Sequence, residues 1–193
     1  YTTLFRSPTW ATHVNLAMML RAEVTRVPAP VEDGFIPSFD SWARAVSPKT
    51  RAIVLNYPSN PTGIVPSREY LQKLQDFAKE HDLWVITDEV YDSLYFEEKP
   101  TSLAAIEGAK ERTLIIQSLS KTYAMTGWRV GFLAAPKSVI ENAVKAGQNS
   151  ITCVAPFIQK AAAFALTDPA IQEVTTTMRA AYARRRELVL RLA

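Results

Sequence analysis

The chain is 193 residues long with 48% hydrophobic content, enough to bury a sizeable core in one ordinary domain. Its net charge of +3 comes from 22 basic and 19 acidic residues, and the basic ones are dispersed except for Arg184-Arg185-Arg186, which reads as a solvated helix face; this excludes a nucleic-acid footprint. The single cysteine, Cys153, excludes an internal disulfide and fits a reducing cytoplasm, and no run approaches the roughly 18 apolar residues of a membrane span.

Residues 13–22 read as a helix, and Glu23 to Val27 as a short strand closed by Pro28 and Pro30. Phe39 to Val46 gives a second short helix that Ser38 or Asp40 can cap. Arg51 to Asn56 is a buried strand that stops at the turn-rich octet Asn56-Tyr57-Pro58-Ser59-Asn60-Pro61-Thr62-Gly63, after which Ser67 caps a helix to about Glu80. Leu83 to Asp88, Thr113 to Gln117 and Val130 to Ala135 are further strands. From Lys137 onward the pattern is helical, broken at Pro156 and at Asp168-Pro169. Strands alternating with helices predict an α/β domain with a largely parallel sheet. The chain opens on Tyr1 without an initiator Met and closes inside an amphipathic pattern, so it reads as a fragment.

The polar residues carry the functional argument. Asn60 follows the end of one predicted strand, Asp88 ends the next, and Ser118 with Lys121 follows a third, and open parallel sheets bind ligands outside the carboxyl ends of their strands. Lys121 sits between Ser120 and Thr122, eight positions before Arg129. Alone, such a lysine is ordinarily a solvated charge; in a partly desolvated pocket its neutral amine becomes a nucleophile able to form a Schiff base. Asn60-Pro61-Thr62-Gly63 alone is only a turn. Asp88, however, closes an apolar strand, where a carboxylate is costly unless a cation such as a protonated ring nitrogen meets it. Trp10 alone reads as a half-buried packing residue.

In this order, with 28 positions from Asn60 to Asp88 and Gly127-Trp128-Arg129-Val130-Gly131 following Ser118-Leu119-Ser120-Lys121, the stretches resemble the pyridoxal-phosphate-dependent aminotransferases of class I/II, fold type I, the aspartate aminotransferase type. The resemblance covers essentially the whole chain. It implies a three-layer α/β/α fold with a mainly parallel mixed sheet: residues 1–170 as most of a large cofactor domain, incomplete at its N-terminus, and 171–193 as the start of a helix leading to a small domain. It further implies a homodimer that transfers an amino group from an L-amino acid to a 2-oxo acid.

The resemblance also assigns roles residue by residue. Lys121 would form the Schiff base with pyridoxal 5'-phosphate and move the α-proton, and Asp88 would keep the pyridine nitrogen protonated. Tyr91 and Asn60 would donate to the phenolic oxygen, Ser118 and Arg129 would hold the phosphate, and Trp10 would stack on the ring. No metal is implied. The stretch from Gln148 to Pro156 lacks the second arginine of dicarboxylate-specific members. Two alternatives share the resemblance: a carbon-sulfur β-lyase, in which histidine often stands where Tyr91 does, and the effector-binding domain of a transcription regulator.

Overall fold

Runs such as Ile53-Val54-Leu55 and Val85-Ile86 are too uniformly apolar to present one face to water, so they take central positions in a sheet covered on both sides. The computed structural model describes residues 1–192 and builds six strands into one sheet: β1 Thr2–Ser7, β2 Glu23–Pro28, β3 Thr50–Asn56, β4 Trp84–Asp88, β5 Thr113–Ser118 and β6 Gly131–Ala134, in the order β2-β1-β3-β4-β5-β6. All neighbours pair in parallel except β5 with β6. The helices are α1 Ala11–Met19, α2 Phe39–Ala45, α3 Arg68–Glu80, the single turn α4 Leu119–Thr122, α5 Lys137–Ser150, α6 Pro156–Thr167 and α7 Pro169–Leu192. The expected helical segment runs one residue further, to Ala193, which lies outside the described residues.

Alternation along the strands divides the core between two faces. Leu4, Ile53, Leu55 and Val85 face the layer formed by α2 and α3, where Trp42, Leu71, Leu74 and Phe77 are buried. Phe5 and Val54 face the other way, onto Val14 and Ala17 of α1. Helix α3 forms where the sequence places it because Ser67 Oγ accepts from the Tyr70 amide at 3.1 Å and Leu71, Leu74 and Ala78 repeat on one face. Leu119 and Met125 make a smaller cluster with Ala162 and Ala165 of α6.

The fold differs from the sequence reading chiefly in three places. Strand β1 is absent from that reading because Arg6 interrupts its apolar pattern, yet Arg6 is 1% exposed. Its guanidinium donates to Phe35 O at 3.3 Å and to Ser59 Oγ, and lies over the Tyr57 ring. Helix α1 spans Ala11–Met19 instead of 13–22, because Arg21 takes a left-handed conformation (φ 59°) just beyond it. The antiparallel pairing of β6 with β5, the only reversed one among the described strands, agrees with the mainly parallel mixed sheet that the resemblance implies. Arg186 is not simply solvated: it sits over Phe96 and pairs with Glu97 at 3.2 Å, while Arg179 stacks on Tyr95 at 4.4 Å, so α7 grips the segment that follows Tyr91.

Glu89, next to Asp88, is buried, and its Oε1 accepts from the Leu103 amide at 3.0 Å, pinning that segment to the end of β4. Burial raises its pKa above the ordinary carboxylate range against the opposing hydrogen bonds of Ser102 and Leu103. The folded state therefore holds this proton more tightly than the unfolded state, so stability falls as pH rises from the ordinary glutamate range through the raised folded value. Glu89→Gln keeps the acceptor and removes the charge. It is expected to raise the unfolding temperature at neutral pH, with the gain vanishing below the ordinary glutamate range, as thermal melts across pH will check.

Gly131 opens β6 against β5, and a Cβ there would lie 2.4 Å from Gln117 O and 3.3 Å from Ser118 Cα, both backbone atoms. Gly131→Ala is expected to cost about 1–3 kcal/mol through the forced strand separation. Denaturant titration measures it; an unchanged midpoint would show that the β5–β6 pairing yields freely.

Candidate active site

The strand order reverses direction between β1 and β3, and chains leaving the carboxyl ends of such strands diverge and leave a crevice between them. All seven residues singled out from the sequence, Trp10, Asn60, Asp88, Tyr91, Ser118, Lys121 and Arg129, border a single cavity of about 430 Å³ at these ends. Asn56, Val90, Ser120 and Thr126 complete its lining.

Asp88 is the last residue of β4 and is 7% exposed. Its Oδ1 accepts from the Val90 amide at 3.2 Å and its Oδ2 meets His13 Nε2 at 2.9 Å. The imidazole answers the need for a cationic or donor partner that burial of this carboxylate creates. The other imidazole nitrogen, Nδ1, is buried without a partner among the described residues. Trp10 stands edge-on to His13 with ring centroids 5.2 Å apart, and is 47% exposed, so it walls the cavity instead of filling the core.

The opposite wall comes from β5, α4 and the turn before β6. Ser118 caps α4, its Oγ accepting from the Ser120 amide at 3.0 Å and donating to Val130 O at 3.4 Å. Lys121 follows one turn later and its Nζ lies 5.8 Å from the Tyr91 ring centroid. The sequence predicts a partly desolvated lysine; the structure leaves Lys121 exposed, because α4 is a single turn at the cavity rim and no described residue covers it. Arg129 has a left-handed backbone (φ 52°), and one guanidinium nitrogen donates to Thr126 O at 2.9 Å. Its other donors have no protein partner among the described residues.

Two basic side chains, Lys121 and Arg129, and several hydroxyls thus share a cavity with a carboxylate held by histidine. That donor set suits a ligand carrying an anionic group at one end and a protonated nitrogen at the other. Among the described residues no cluster of histidine, cysteine and carboxylates is arranged to hold a metal ion. Sequence reading missed His13, Ser120 and Thr126 and gave Asn56 no role of its own. A histidine three positions after Trp10 at a helix start was the one available signal for the first.

The family profile described as aminotransferase class I and II matches residues 2–193. The aromatic-amino-acid aminotransferase 2 of Thermococcus litoralis is 42% identical over 96% of this chain and 48% of its own length. The aspartate aminotransferase of Pyrococcus abyssi is 41% identical over the same shares. Among solved structures, the aromatic aminotransferase from Pyrococcus horikoshii superposes with a TM-score of 0.95 at 40% identity, over 98% of this chain and 51% of that one. The aspartate aminotransferase from Thermus thermophilus with maleate gives 0.95 at 35%, over 98% and 50%. The chain spans about half the length of the relatives it matches.

The His13–Asp88 pair is expected to be worth about 1–3 kcal/mol, since either partner alone leaves the other buried and under-satisfied. A double-mutant cycle with His13→Ala and Asp88→Ala, read by denaturant unfolding, measures it. Additive losses would mean that the two side chains do not act on one another.

Proposed function

The chain belongs to the class I and II aminotransferases, and from that premise we propose that the intact protein is a pyridoxal-phosphate-dependent aminotransferase that moves an amino group from an L-amino acid to a 2-oxo acid. The observation that carries this reading is the meeting of Lys121, Asp88 and Arg129 around one cavity, with hydroxyl and amide donors between them. The residues fit the cofactor: an amine for its aldehyde, a carboxylate for its ring nitrogen, and a guanidinium with free donors beside a serine for its phosphate.

When bound, pyridoxal phosphate supplies an electron-withdrawing ring that lowers the cost of removing the α-proton of the amino acid. The protein does the rest. Lys121 Nζ would be the cofactor's covalent anchor and the amine that holds and moves the α-proton. Asp88 would keep a proton on the ring nitrogen, with its carboxylate fixed by the 2.9 Å bond to His13. Asn60 and Tyr91 would donate to the phenolic oxygen, Ser118 and Arg129 would hold the phosphate, and Trp10 would lie against the ring. The matched proteins are named as aminotransferases, which supports transamination over the lyase and regulator readings.

The same reading assigns residues 1–170 to the cofactor domain and 171–193 to the start of a connection towards a further domain. It also takes the protein to be a cytoplasmic homodimer. Exposed Leu16, Met19 and Leu20 at the end of α1 support a covered surface there. Among the described residues no helix is long and apolar enough to cross a membrane.

Borohydride reduction of the intact protein followed by peptide mapping is expected to place the pyridoxyl adduct on Lys121; an adduct on another lysine would overturn the assignment. Lys121→Ala is expected to lower the transamination rate by about 10²–10⁴-fold or more, and turnover near the parent level would do the same.

A further inference from the structure

The turn that carries Asn60 has to place a side chain from the end of β3 against a residue at the end of β4, and most of its backbone cannot help. Pro58 and Pro61 have no amide hydrogen to donate, and the Ser59 and Gly63 amides are used within the turn, on Ile64 O and Ser59 O. The amide of Asn60 has one partner, the side chain of Asn56, whose Oδ1 accepts from it at 2.8 Å. The other end of the same side chain points across the sheet: Asn56 Nδ2 donates to Asp88 O at 3.0 Å, where the Tyr57 amide also arrives at 3.2 Å. Asn56 is 1% exposed, stands opposite Asp88 in the β3–β4 register, and borders the cavity.

We propose that Asn56 is a positioning residue that sets Asn60 relative to Asp88, and through them the acid–base behaviour of the group bound to Lys121. The inference rests on the proposed reading of Lys121 as the cofactor anchor. The bridge needs an acceptor facing an amide hydrogen and a donor facing a carbonyl in one short planar group, which only asparagine supplies at this length. Aspartate would turn an acceptor towards the Asp88 carbonyl, next to a second carboxylate; alanine supplies neither bond. Asn60 freed from the bridge no longer holds its donor against the anionic phenolic oxygen, so the pKa of the Lys121–cofactor linkage rises.

The test uses the intact protein loaded with pyridoxal phosphate and compares Asn56→Ala, Asn56→Ser and Asn56→Asp with the parent. The control is Gln75→Leu, which removes a buried amide (2% exposed) bonded to Gly108 O and Thr113 on α3, outside the cavity. The readouts are the pH titration of the bound chromophore, cofactor dissociation and unfolding temperature. In Asn56→Ala the titration is expected to move up by about one pH unit, the equivalent of one hydrogen bond to the anionic form, with cofactor dissociating several-fold faster. Asn56→Ser carries the comparison if the alanine variant does not fold. Gln75→Leu is expected to melt earlier with an unmoved titration. A Lys121 adduct in every variant with the titration of the Asn56 variants unmoved overturns this inference alone; no adduct on Lys121 in the parent overturns the proposed function and this inference together.

Discussion

A carboxylate at the end of a central strand is the most demanding group in this molecule, and the arrangement of the cavity follows from how Asp88 is satisfied. Water is largely excluded from it, so its oxygens must find donors within the protein. One is the Val90 amide; the other is His13, 75 positions earlier in the chain. That bond ties α1, which covers one face of the sheet, to the strand end around which the cavity is built. Trp10 is placed by the same constraint, because it precedes His13 at the start of the helix and packs edge-on against it.

The sheet supplies the frame in which this works. Parallel strands bring their carboxyl ends to one edge, and the reversal of strand order between β1 and β3 opens the crevice there. The contributions of burial are uneven. Strands β1, β3 and β4 with α2 and α3 hold most of the core, whereas α5 and α7 contribute no buried residue. Even in the dense half a polar network persists: burial lowers the pKa of Arg6 and pushes Tyr70 up to about 12, so the Tyr70 hydroxyl keeps its proton and donates to Pro37 O. Arg6 supports the Tyr57–Ser59 stretch, which leads into Asn60 of the cavity.

Much of this was legible in the chain. The apolar runs of β3 and β4 and the cap of α3 are local features, set by burial on both faces and by one serine, and local features survive reading in one dimension. The spacing of Asn60, Asp88, Lys121 and Arg129 was equally readable, because Asp88 ends a strand, Asn60 and Lys121 lie just past strand ends, and Arg129 stands just before the next strand. What escaped depends on partners distant in sequence. Arg6 breaks an apolar pattern, and only Ser59, Phe35 and Tyr57 make its burial tolerable. His13 looks like any helical polar residue until Asp88 is brought to it. Asn56 belongs to a recognisable turn, but the carbonyl it reaches is 32 positions away.

Two residues without the freedom of glycine, Ala124 (φ 54°) and Arg129 (φ 52°), hold left-handed backbones on either side of the short turn Thr126–Trp128 beside the cavity. Each such residue is disfavoured by about 1 kcal/mol or more. Glycine at position 124 would remove that penalty for the loss of one methyl group. At position 129 the side chain borders the cavity, and a β-branched replacement would be rejected by the backbone before its chemistry was ever tried. The choice of residue at this corner is therefore limited twice over, by the cavity that the side chain lines and by the left-handed shape that the main chain holds there.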